Sequence, residues 1–270
     1  MSCACGHDHH RPPGQEAVAG DAIPLRLPAP MVALSGRLVC LDAGQMLTAL
    51  TLLPEHVRLS RQEPGCLRFD MWQDEDPLVW HLAELFVNDE AYAAHQARAR
   101  DSEWGHASIA LGREFRRAHV EPHLRAEKRA DHDQLDDLLQ AAFEGPDEAR
   151  LLRRLREDGD LALSLVAEAA GCVLGHAGLS PLKAEAPAFA LAPVAVRPGA
   201  QGLGIGRTLI SEALAWAGDA AVVVLGDPRF YGPFGFGPAR LDSPWAGPYL
   251  QIRGHLPPGS AITHAQAFSG

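Results

Sequence analysis

A glycine-rich turn is the part of the sequence whose residue types and spacing point most directly to chemistry. The segment Gln201-Gly202-Leu203-Gly204-Ile205-Gly206 follows an apolar stretch and precedes a helical pattern. Glycines let the backbone approach a ligand closely, and they leave the first amides of a helix free to point outward. Such amides, together with the helix dipole, bind phosphate. The turn therefore predicts a phosphate site, although its spacing is neither the dinucleotide G-x-G-x-x-G nor a loop followed by Lys-Ser/Thr.

A second concentration of potential ligands lies at the N-terminus. Five soft or borderline metal ligands fall close together there, namely Cys3, Cys5, His7, His9 and His10. Cysteine and histidine together suit zinc, nickel or copper, but structural zinc sites usually draw on two ligand pairs separated by a folded loop. A metal site and an unstructured tail that binds metal adventitiously both fit this pattern. We therefore assign no metal ligand from the sequence.

Composition and charge narrow the classes of function. The chain has 270 residues, of which 47% are hydrophobic, and this is enough for one large domain or two ordinary ones. Its net charge of −10 argues against a nucleic-acid partner. No apolar run approaches the roughly 18–20 residues of a membrane helix, and the N-terminus lacks the apolar middle of a secretory signal. We therefore expect no membrane contact and a cytoplasmic protein.

The elements before residue 119 follow a ferredoxin-like order. The predicted elements are strands at 31–41, 66–72, 79–87 and 108–115 and helices at 43–62 and 89–100. This β-α-β-β-α-β order gives a sheet with one face covered by helices and one face open. An open apolar face usually pairs with a second copy. We therefore predict an α+β domain over 31–118 that follows a flexible tail at 1–30 and forms a homodimer.

A second set of elements follows an extended connection at 119–130. The predicted elements are helices from 131, at 147–158 and at 205–217, and strands at 161–168, 172–180, 189–196 and 221–225. They predict a mixed α/β domain over 119–270. In that domain the glycine-rich turn joins a strand to the helix at 205–217.

Three motifs of this second domain resemble the GNAT N-acetyltransferase superfamily over about residues 121–265. The glycine-rich turn resembles the Q/R-x-x-G-x-G/A signature, Leu191–Val196 the splayed strand, and Tyr231–Phe236 the Y-x-x-x-G-F stretch. The resemblance implies a GNAT-type fold and acetyl-CoA as cosubstrate, with pantetheine along the strand and pyrophosphate on the loop. It assigns acetyl-CoA to Pro193, Val194, Ala195, Val196, Gln201, Gly202, Leu203, Gly204, Ile205, Gly206 and Arg207.

The same resemblance implies direct acetyl transfer to an amine, with Tyr231 protonating the departing thiolate. A phenol with a pKa near ~10 can donate to a nascent thiolate; the alternative is a core aromatic with a bonded hydroxyl. Many relatives use a glutamate near the splayed strand as the base, but residues 191–196 contain no carboxylate. The candidates are Glu144, Glu185 and His176, and a histidine in a strand pattern such as His176 is more often a satisfied core residue.

The N-terminal domain resembles the antibiotic-biosynthesis monooxygenase (ABM) family over about residues 31–118. The matching residues are the Glu63–Cys66 turn, Trp80, Glu84 on the next strand and His95 on the following helix. The resemblance implies a dimeric α+β barrel, and some relatives oxidise quinols or polyketide aromatics with dioxygen and no cofactor. Others degrade haem, but the first strand here lacks the asparagine of that branch. His95, Glu84 and Trp80 are thus candidate site residues, and structural roles would also explain them.

The two resemblances predict a fusion protein. An ABM-like dimerisation or oxygenase module would precede an N-acetyltransferase that acts on a small-molecule or peptide amine. One alternative makes a quinol-type monooxygenase the main activity. Another makes the chain a non-catalytic sensor of acyl-CoA or of a small molecule. The sequence does not identify the acceptor.

Overall fold

The structure, a computed structural model, describes residues 22–143 and 145–269. The N-terminal Cys/His segment and Glu144 lie outside the described residues. In the described part of the chain, no helix is long and apolar enough to cross a bilayer. The chain forms two sheets, one of four strands and one of eight. The predicted α+β class is confirmed, with a ferredoxin-like unit before a mixed α/β unit.

The elements fall into two groups along the chain. The first comprises β1 (Ile23–Pro24), β2 (Met31–Val39), α1 (Ala43–Arg61), β3 (Cys66–Gln73), β4 (Val79–Phe86), α2 (Asp89–Arg100), α3 (Glu103–Ala107) and β5 (Gly112–Val120). The second comprises β6 (His123–Ala126), α4 (His132–Phe143), α5 (Asp147–Glu157), β7 (Leu163–Ala169), β8 (Cys172–Leu182), β9 (Ala188–Val196), α6 (Ile205–Ala217), β10 (Ala221–Leu225), α7 (Pro228–Tyr231), β11 (Gly237–Pro238) and β12 (Leu250–Arg253). Short 3-10 turns join several of them.

The N-terminal sheet has the antiparallel order β3-β4-β2-β5. Its two long helices begin at side-chain caps, since Asp42 accepts a bond from the amide of Gln45 and Asn88 from that of Ala91. Pro54 lies inside α1 without ending it. The strand predicted from residue 108 begins only at Gly112, because Ser102 caps the short helix α3 just before it.

Two segments for which the sequence predicted no strand, the extended connection and the flexible tail, contribute strands to the second sheet. The predicted connection at 119–130 contains β6, which pairs with β7. The predicted tail at 1–30 contains β1, which pairs with β6. Leu25 and Leu124 are buried here, and their burial explains why the chain is ordered. The tail prediction is therefore wrong for residues 22–30, while the division at 118 and 119 stays a prediction.

The second sheet has the order β1-β6-β7-β8-β9-β10-β12-β11 and carries helices on both faces. Leu209 and Ile210 of α6 pack on one face, and Leu135 and Leu138 of α4 pack on the other. The neighbouring strands β9 and β10 are parallel and pair only at 188–190 with 221–223. Beyond these residues the two strands separate, and the backbone of 191–196 is free on that side.

The two sheets share a hydrophobic core. Met31 and Leu85 from the outer face of the four-stranded sheet, and Leu67 from β3, belong to the same buried cluster as Leu174 and Leu209 of the second sheet. The face that the sequence expected to be left open is therefore partly covered within the same chain. Burying these apolar side chains couples the two units energetically.

Candidate functional site

The glycine-rich turn lines a groove of about 620 Å³, which we call the loop groove. The lining residues are Val194, Ala195, Val196, Ala200, Gln201, Gly202, Leu203, Gly204, Ile205, Gly206, Arg207, Phe230 and Tyr231. Every residue predicted for the cosubstrate is in this set except Pro193. The described lining contains one cation, Arg207, and no carboxylate, so the groove suits an anionic ligand.

The loop groove owes its shape to backbone conformations that favour glycine. Gly202 and Gly204 have φ angles of 79° and 92°, in the left-handed region. Gly204 is the N-cap of α6, and no side chain caps this end of the helix. The first amides of α6 therefore have no intrahelical acceptor and lie at the positive end of the helix dipole. The Gln201 side chain closes the turn by donating to the carbonyl of Val196 at 3.1 Å.

A second groove, of about 440 Å³, begins where β9 and β10 separate, and we call it the splay groove. Its lining residues are Phe143, Glu148, Leu151, Ala190, Leu191, Ala192, Pro193, Val194, Val223, Val224, Leu225, Gly226, Tyr231, Trp245, Leu250, His264 and Phe268. The lining is mostly apolar and includes Pro193. Val194 and Tyr231 line both grooves, so the two grooves meet at these residues.

Tyr231 stands at the junction of the two grooves. Asp227 caps the single-turn helix α7 that carries it, and the rings of Phe230 and Phe236 contact it edge to face at 4.9 and 5.6 Å. Burial raises the pKa of Tyr231 to about 12. The phenol is therefore protonated at neutral pH and can donate its hydrogen to an atom at the junction.

The residues that the sequence proposed as the catalytic base do not line either groove in the part of the chain that the structure describes. His176 is fully buried and lines neither groove. Its Nδ1 contacts the Pro193 carbonyl at 3.0 Å and its Nε2 the Ser164 hydroxyl at 2.9 Å. Burial lowers the pKa of His176 to about 4. His176 is thus a neutral core residue, Glu185 is exposed in the turn between β8 and β9, and Glu144 lies outside the described residues.

The N-terminal domain has its own cavity, of about 340 Å³, between the sheet and its helices. Glu84 and His95 both line it, but Trp80 does not. The indole nitrogen of Trp80 is buried without a partner among the described residues. Two predicted residues therefore meet at one cavity, and the third lies elsewhere in the fold.

A buried polar network holds His95 in this domain. His95 Nδ1 lies 2.7 Å from Glu63 Oε2, and Arg98 donates to Glu63 Oε1 at 2.6 Å. Arg98 also contacts His56 Nδ1 at 3.2 Å. Burial and the neighbouring Arg98 lower the pKa of His56 to about 3, so His56 accepts rather than donates at Nδ1. The glutamate of the Glu63–Cys66 turn thus anchors the helix histidine.

Glu84 is the perturbed carboxyl of the cavity. It is 7% exposed, and its Oε2 has no partner among the described residues. Burial, with a smaller contribution from the charge of Glu63, raises the pKa of Glu84 to about 8. Glu84 is therefore mostly protonated at neutral pH and presents a hydrogen-bond donor in an apolar setting.

Sequence reasoning missed the far wall of the splay groove. Trp245 and His264 lie in irregular chain and Phe268 in a short 3-10 turn, where no periodicity marks a side chain as inward-facing. It also missed His56 and Arg98, whose roles depend on contacts across more than thirty residues. The sequence contains no local signal for either set.

Comparison with known proteins identifies both parts of the chain. The model of the acetyltransferase (GNAT) family matches residues 132–236, and the antibiotic biosynthesis monooxygenase model matches residues 33–119. The uncharacterized N-acetyltransferase YhbS of Escherichia coli strain K12 is 41% identical over 120 residues, which cover 42% of this chain and 72% of YhbS. The uncharacterized N-acetyltransferase YjhQ of the same strain is 34% identical over 131 residues, covering 45% and 72%.

A solved structure supports the same identification. A crystal structure of YhbS from Escherichia coli in complex with CoA matches with a TM-score of 0.52 and 31% identity, and the match covers 57% of this chain and 94% of that one. Both predicted resemblances are therefore confirmed. The chain belongs to the GNAT acetyltransferase family, and an antibiotic-biosynthesis monooxygenase domain forms its N-terminal part.

Proposed function

We propose that the C-terminal domain transfers an acetyl group from acetyl-CoA to an amine. The observation that carries this proposal is the uncapped N-terminus of α6 in a groove that continues to Tyr231. The amides after Gly204 would hold the pyrophosphate, and the backbone of 194–196, which is unpaired on the side toward β10, would hold the pantetheine arm. The CoA-bound structure of the relative YhbS supports the choice of cosubstrate.

Acetyl-CoA supplies the thioester that the amine attacks. A carbon–nitrogen bond forms, the carbon–sulfur bond breaks, and the nitrogen loses a proton. Tyr231 donates its hydrogen toward the departing sulfur, where negative charge develops. Because a free thiol ordinarily has a pKa of about 8.5, the weakly acidic phenol of Tyr231 contributes mainly as a hydrogen-bond donor while that bond breaks.

Titration calorimetry of the full chain with acetyl-CoA tests the binding step. Gly204→Glu would place a carboxylate where phosphate is expected, and we predict at least about a hundredfold weaker binding. Gly218→Glu is the matched control, since Gly218 lies at the other end of α6, also has a positive φ, and has no atom within 4 Å of an added Cβ. Equal effects of the two variants, or no binding by the intact chain, would contradict the proposal.

Tyr231→Phe tests the acid. Removing one hydroxyl that acts only as the bond breaks should lower kcat about a hundredfold, while the Kd for acetyl-CoA stays within about threefold. Tyr249→Phe is the control, because Tyr249 is 59% exposed and lines neither groove. Tight acetyl-CoA binding with no acetylated product from a broad amine panel would instead favour a sensor.

A second candidate function belongs to the N-terminal domain. Its cavity with the partnerless Glu84 Oε2 and with His95 favours a bound small molecule that carries an oxygen acceptor, such as a quinol-type compound. Oxygen consumption with added quinols tests the oxygenase. We expect uptake that falls at least tenfold in Glu84→Leu, which removes the hydrogen-bond donor, and is unchanged in Glu75→Leu, since Glu75 is exposed on a turn. Uptake at background would leave the domain without this role.

The homodimer remains a proposal and rests on the same domain. Strand β5 is an edge strand, and most of its residues are exposed; such edges pair readily with another chain. Trp72, which is 48% exposed, stacks on His81 on the outer face. Light scattering after size exclusion should give twice the mass of the chain, and a Phe115→Glu substitution on β5 should shift it to one chain. A monomeric intact protein would overturn the dimer.

A further inference from the structure

The splay groove, which would receive the amine in the proposed transferase reaction, has a distinct chemical character. Trp245, His264 and Phe268 form an aromatic cluster along one wall. The ring centroids of Trp245 and His264 are 4.5 Å apart at 84°, and those of His264 and Phe268 are 5.2 Å apart at 62°. Edge-to-face surfaces of this kind pack favourably against another aromatic ring.

One polar group in this wall lacks a partner. His264 Nδ1 is buried and makes no hydrogen bond among the described residues. Burial lowers the pKa of His264, so the imidazole is neutral at pH 7. A buried nitrogen without a partner costs free energy. A ligand that supplies the missing hydrogen would recover that cost.

The groove offers little charge. Glu148 is the carboxylate among its described lining residues, and no lysine or arginine belongs to that set. A single ammonium can be matched by one carboxylate, whereas a polyamine would leave further charges buried without partners. The volume of about 440 Å³ lies within the range of small-molecule sites. The charge and the aromatic wall both favour a monoamine on an apolar body.

We propose that the splay groove takes a primary monoamine carried on an aromatic body, and that His264 Nδ1 accepts the proton which the amine loses. This inference rests on the proposed acetyltransferase function. The amine nitrogen bonds to the acetyl carbon, the carbon–sulfur bond breaks, His264 takes the nitrogen's proton, and Tyr231 donates its hydrogen toward the sulfur. The sulfur leaves as a thiolate that accepts the hydrogen bond from Tyr231, and solvent then takes the proton from His264 and protonates the thiolate.

A comparison of amines, each assayed separately, tests the substrate class. The full chain is given acetyl-CoA and one of four amines: 2-phenylethylamine, tryptamine, hexylamine or spermidine. Mass spectrometry of the acetylated product avoids interference from the protein's own cysteines. We expect kcat/KM for the two aromatic amines to exceed that for hexylamine by about tenfold or more, corresponding to one or two aromatic contacts. A preference for spermidine, or for a peptide amine added in parallel, would overturn the proposal.

His264→Gln tests the proton acceptor. Glutamine keeps a polar side chain but cannot take a proton at neutral pH, so we expect kcat with the preferred aromatic amine to fall about a hundredfold. His255→Gln is the matched control, because His255 is exposed in the same C-terminal segment and lines neither groove. A loss of less than about threefold in His264→Gln would overturn the role of His264.

Binding measurements separate the failure of this inference from the failure of the transferase proposal. Acetyl-CoA affinity is measured for each variant, and unchanged affinity also shows that the variant has folded. If the intact chain binds no acetyl-CoA, the transferase proposal fails. If it binds acetyl-CoA and acetylates hexylamine, spermidine or the peptide amine but neither aromatic amine, the transferase proposal stands and the assignment of the acceptor class is wrong. If it binds acetyl-CoA and acetylates no amine, both proposals fail and a sensor is favoured.

Discussion

A Cβ placed on Gly226 would overlap the ring of Tyr231, lying 2.9 Å from Cδ2 and even closer to Cε2. The backbone of Gly226 cannot easily yield, because its amide donates to the Tyr249 carbonyl at 3.0 Å and its carbonyl accepts from Gln251 at 2.8 Å. The phenol of Tyr231 is therefore positioned by the absence of a side chain at the end of β10. The ring, not the strand, must move if this space is filled.

Gly226→Ala should displace Tyr231 and so lower kcat by about tenfold or more, since a misplaced donor loses most of its effect. Acetyl-CoA affinity should change less, because the α6 amides are not touched. Gly232→Ala provides the control, because Gly232 follows Tyr231 directly, has a φ of −51°, and has no atom within 4 Å of an added Cβ. Steady-state kinetics measure kcat for the two variants. Equal kcat values for Gly226→Ala and Gly232→Ala would show that Gly226 does not position Tyr231.

The loop groove could be predicted from sequence because its determinants are local. Gly202 and Gly204 act through their own φ angles and through a helix that begins at the next residue. The same holds for α6, whose bounds match the predicted 205–217. The splay groove could not be predicted, because it forms where distant segments meet. His264 and Trp245 are brought to β9 by irregular chain that carries no periodic signal.

The N-terminal domain shows the same limit. The resemblance supplied Glu84 and His95 as candidates, and both line one cavity in the structure. The anchoring of His95 by Glu63 did not follow from sequence, because it joins a turn to a helix 32 residues later. Coverage of the outer face by the second domain was missed for a different reason. Apolar residues such as Leu85 show that a face is buried but not which surface covers it.

Glu84 should make stability depend on pH. Its pKa is about 8 in the folded chain against an ordinary 4.5, so between these values the unfolded state gives up a proton that the folded state keeps. The contribution of Glu84 to the free energy of unfolding is therefore fully present below pH 4.5 and is lost as the pH rises through about 8. Glu84→Gln has no carboxyl to ionise, so its free energy of unfolding should not show this loss. The difference in free energy of unfolding between Glu84→Gln and wild type should therefore change by on the order of 3 kcal/mol in favour of the variant from pH 5 to pH 8.5.

Urea unfolding at the two pH values measures this gain. Glu75→Gln, on an exposed turn, should show the same pH dependence as the wild type. A constant difference between Glu84→Gln and wild type at both pH values would mean that Glu84 is already ionised in the folded protein.

The shared core should make the two units unfold together. Leu85 is fully buried in the cluster that also holds Leu174 and Leu209. Leu85→Ala should lower stability by about 2–5 kcal/mol, and calorimetry should show one transition that moves as a whole. Leu47→Ala is the control, because Leu47 is 59% exposed on α1, and it should leave the transition temperature unchanged. Two separate transitions, with only one shifted by Leu85→Ala, would show that the units are independent.

His176 should behave as a structural residue whose protonation destabilises the fold. The Pro193 carbonyl can only accept, so Nδ1 of the neutral imidazole carries the hydrogen. The unprotonated Nε2 lies 2.9 Å from the Ser164 hydroxyl, which donates to Glu127 Oε2. His176→Leu would leave the Pro193 carbonyl without its partner, while Ser164 would keep Glu127, and the substitution should cost about 1–3 kcal/mol at pH 7.5. The pKa of His176 falls from an ordinary 6.5 to about 4, chiefly through burial. The contribution of the neutral His176 imidazole to stability is thus fully present above pH 6.5 and is lost as the pH falls toward 4.

The difference in stability between wild type and His176→Leu should therefore narrow by on the order of 2 kcal/mol between pH 7.5 and pH 5, because only the wild type has a buried imidazole that resists protonation. Urea unfolding at both pH values provides the measurement, with exposed His255→Leu as the control. The variant should also keep the wild-type pH profile of kcat, since His176 lines neither groove. A profile that loses its acidic limb in His176→Leu would make His176 the base after all and would displace His264 from that role.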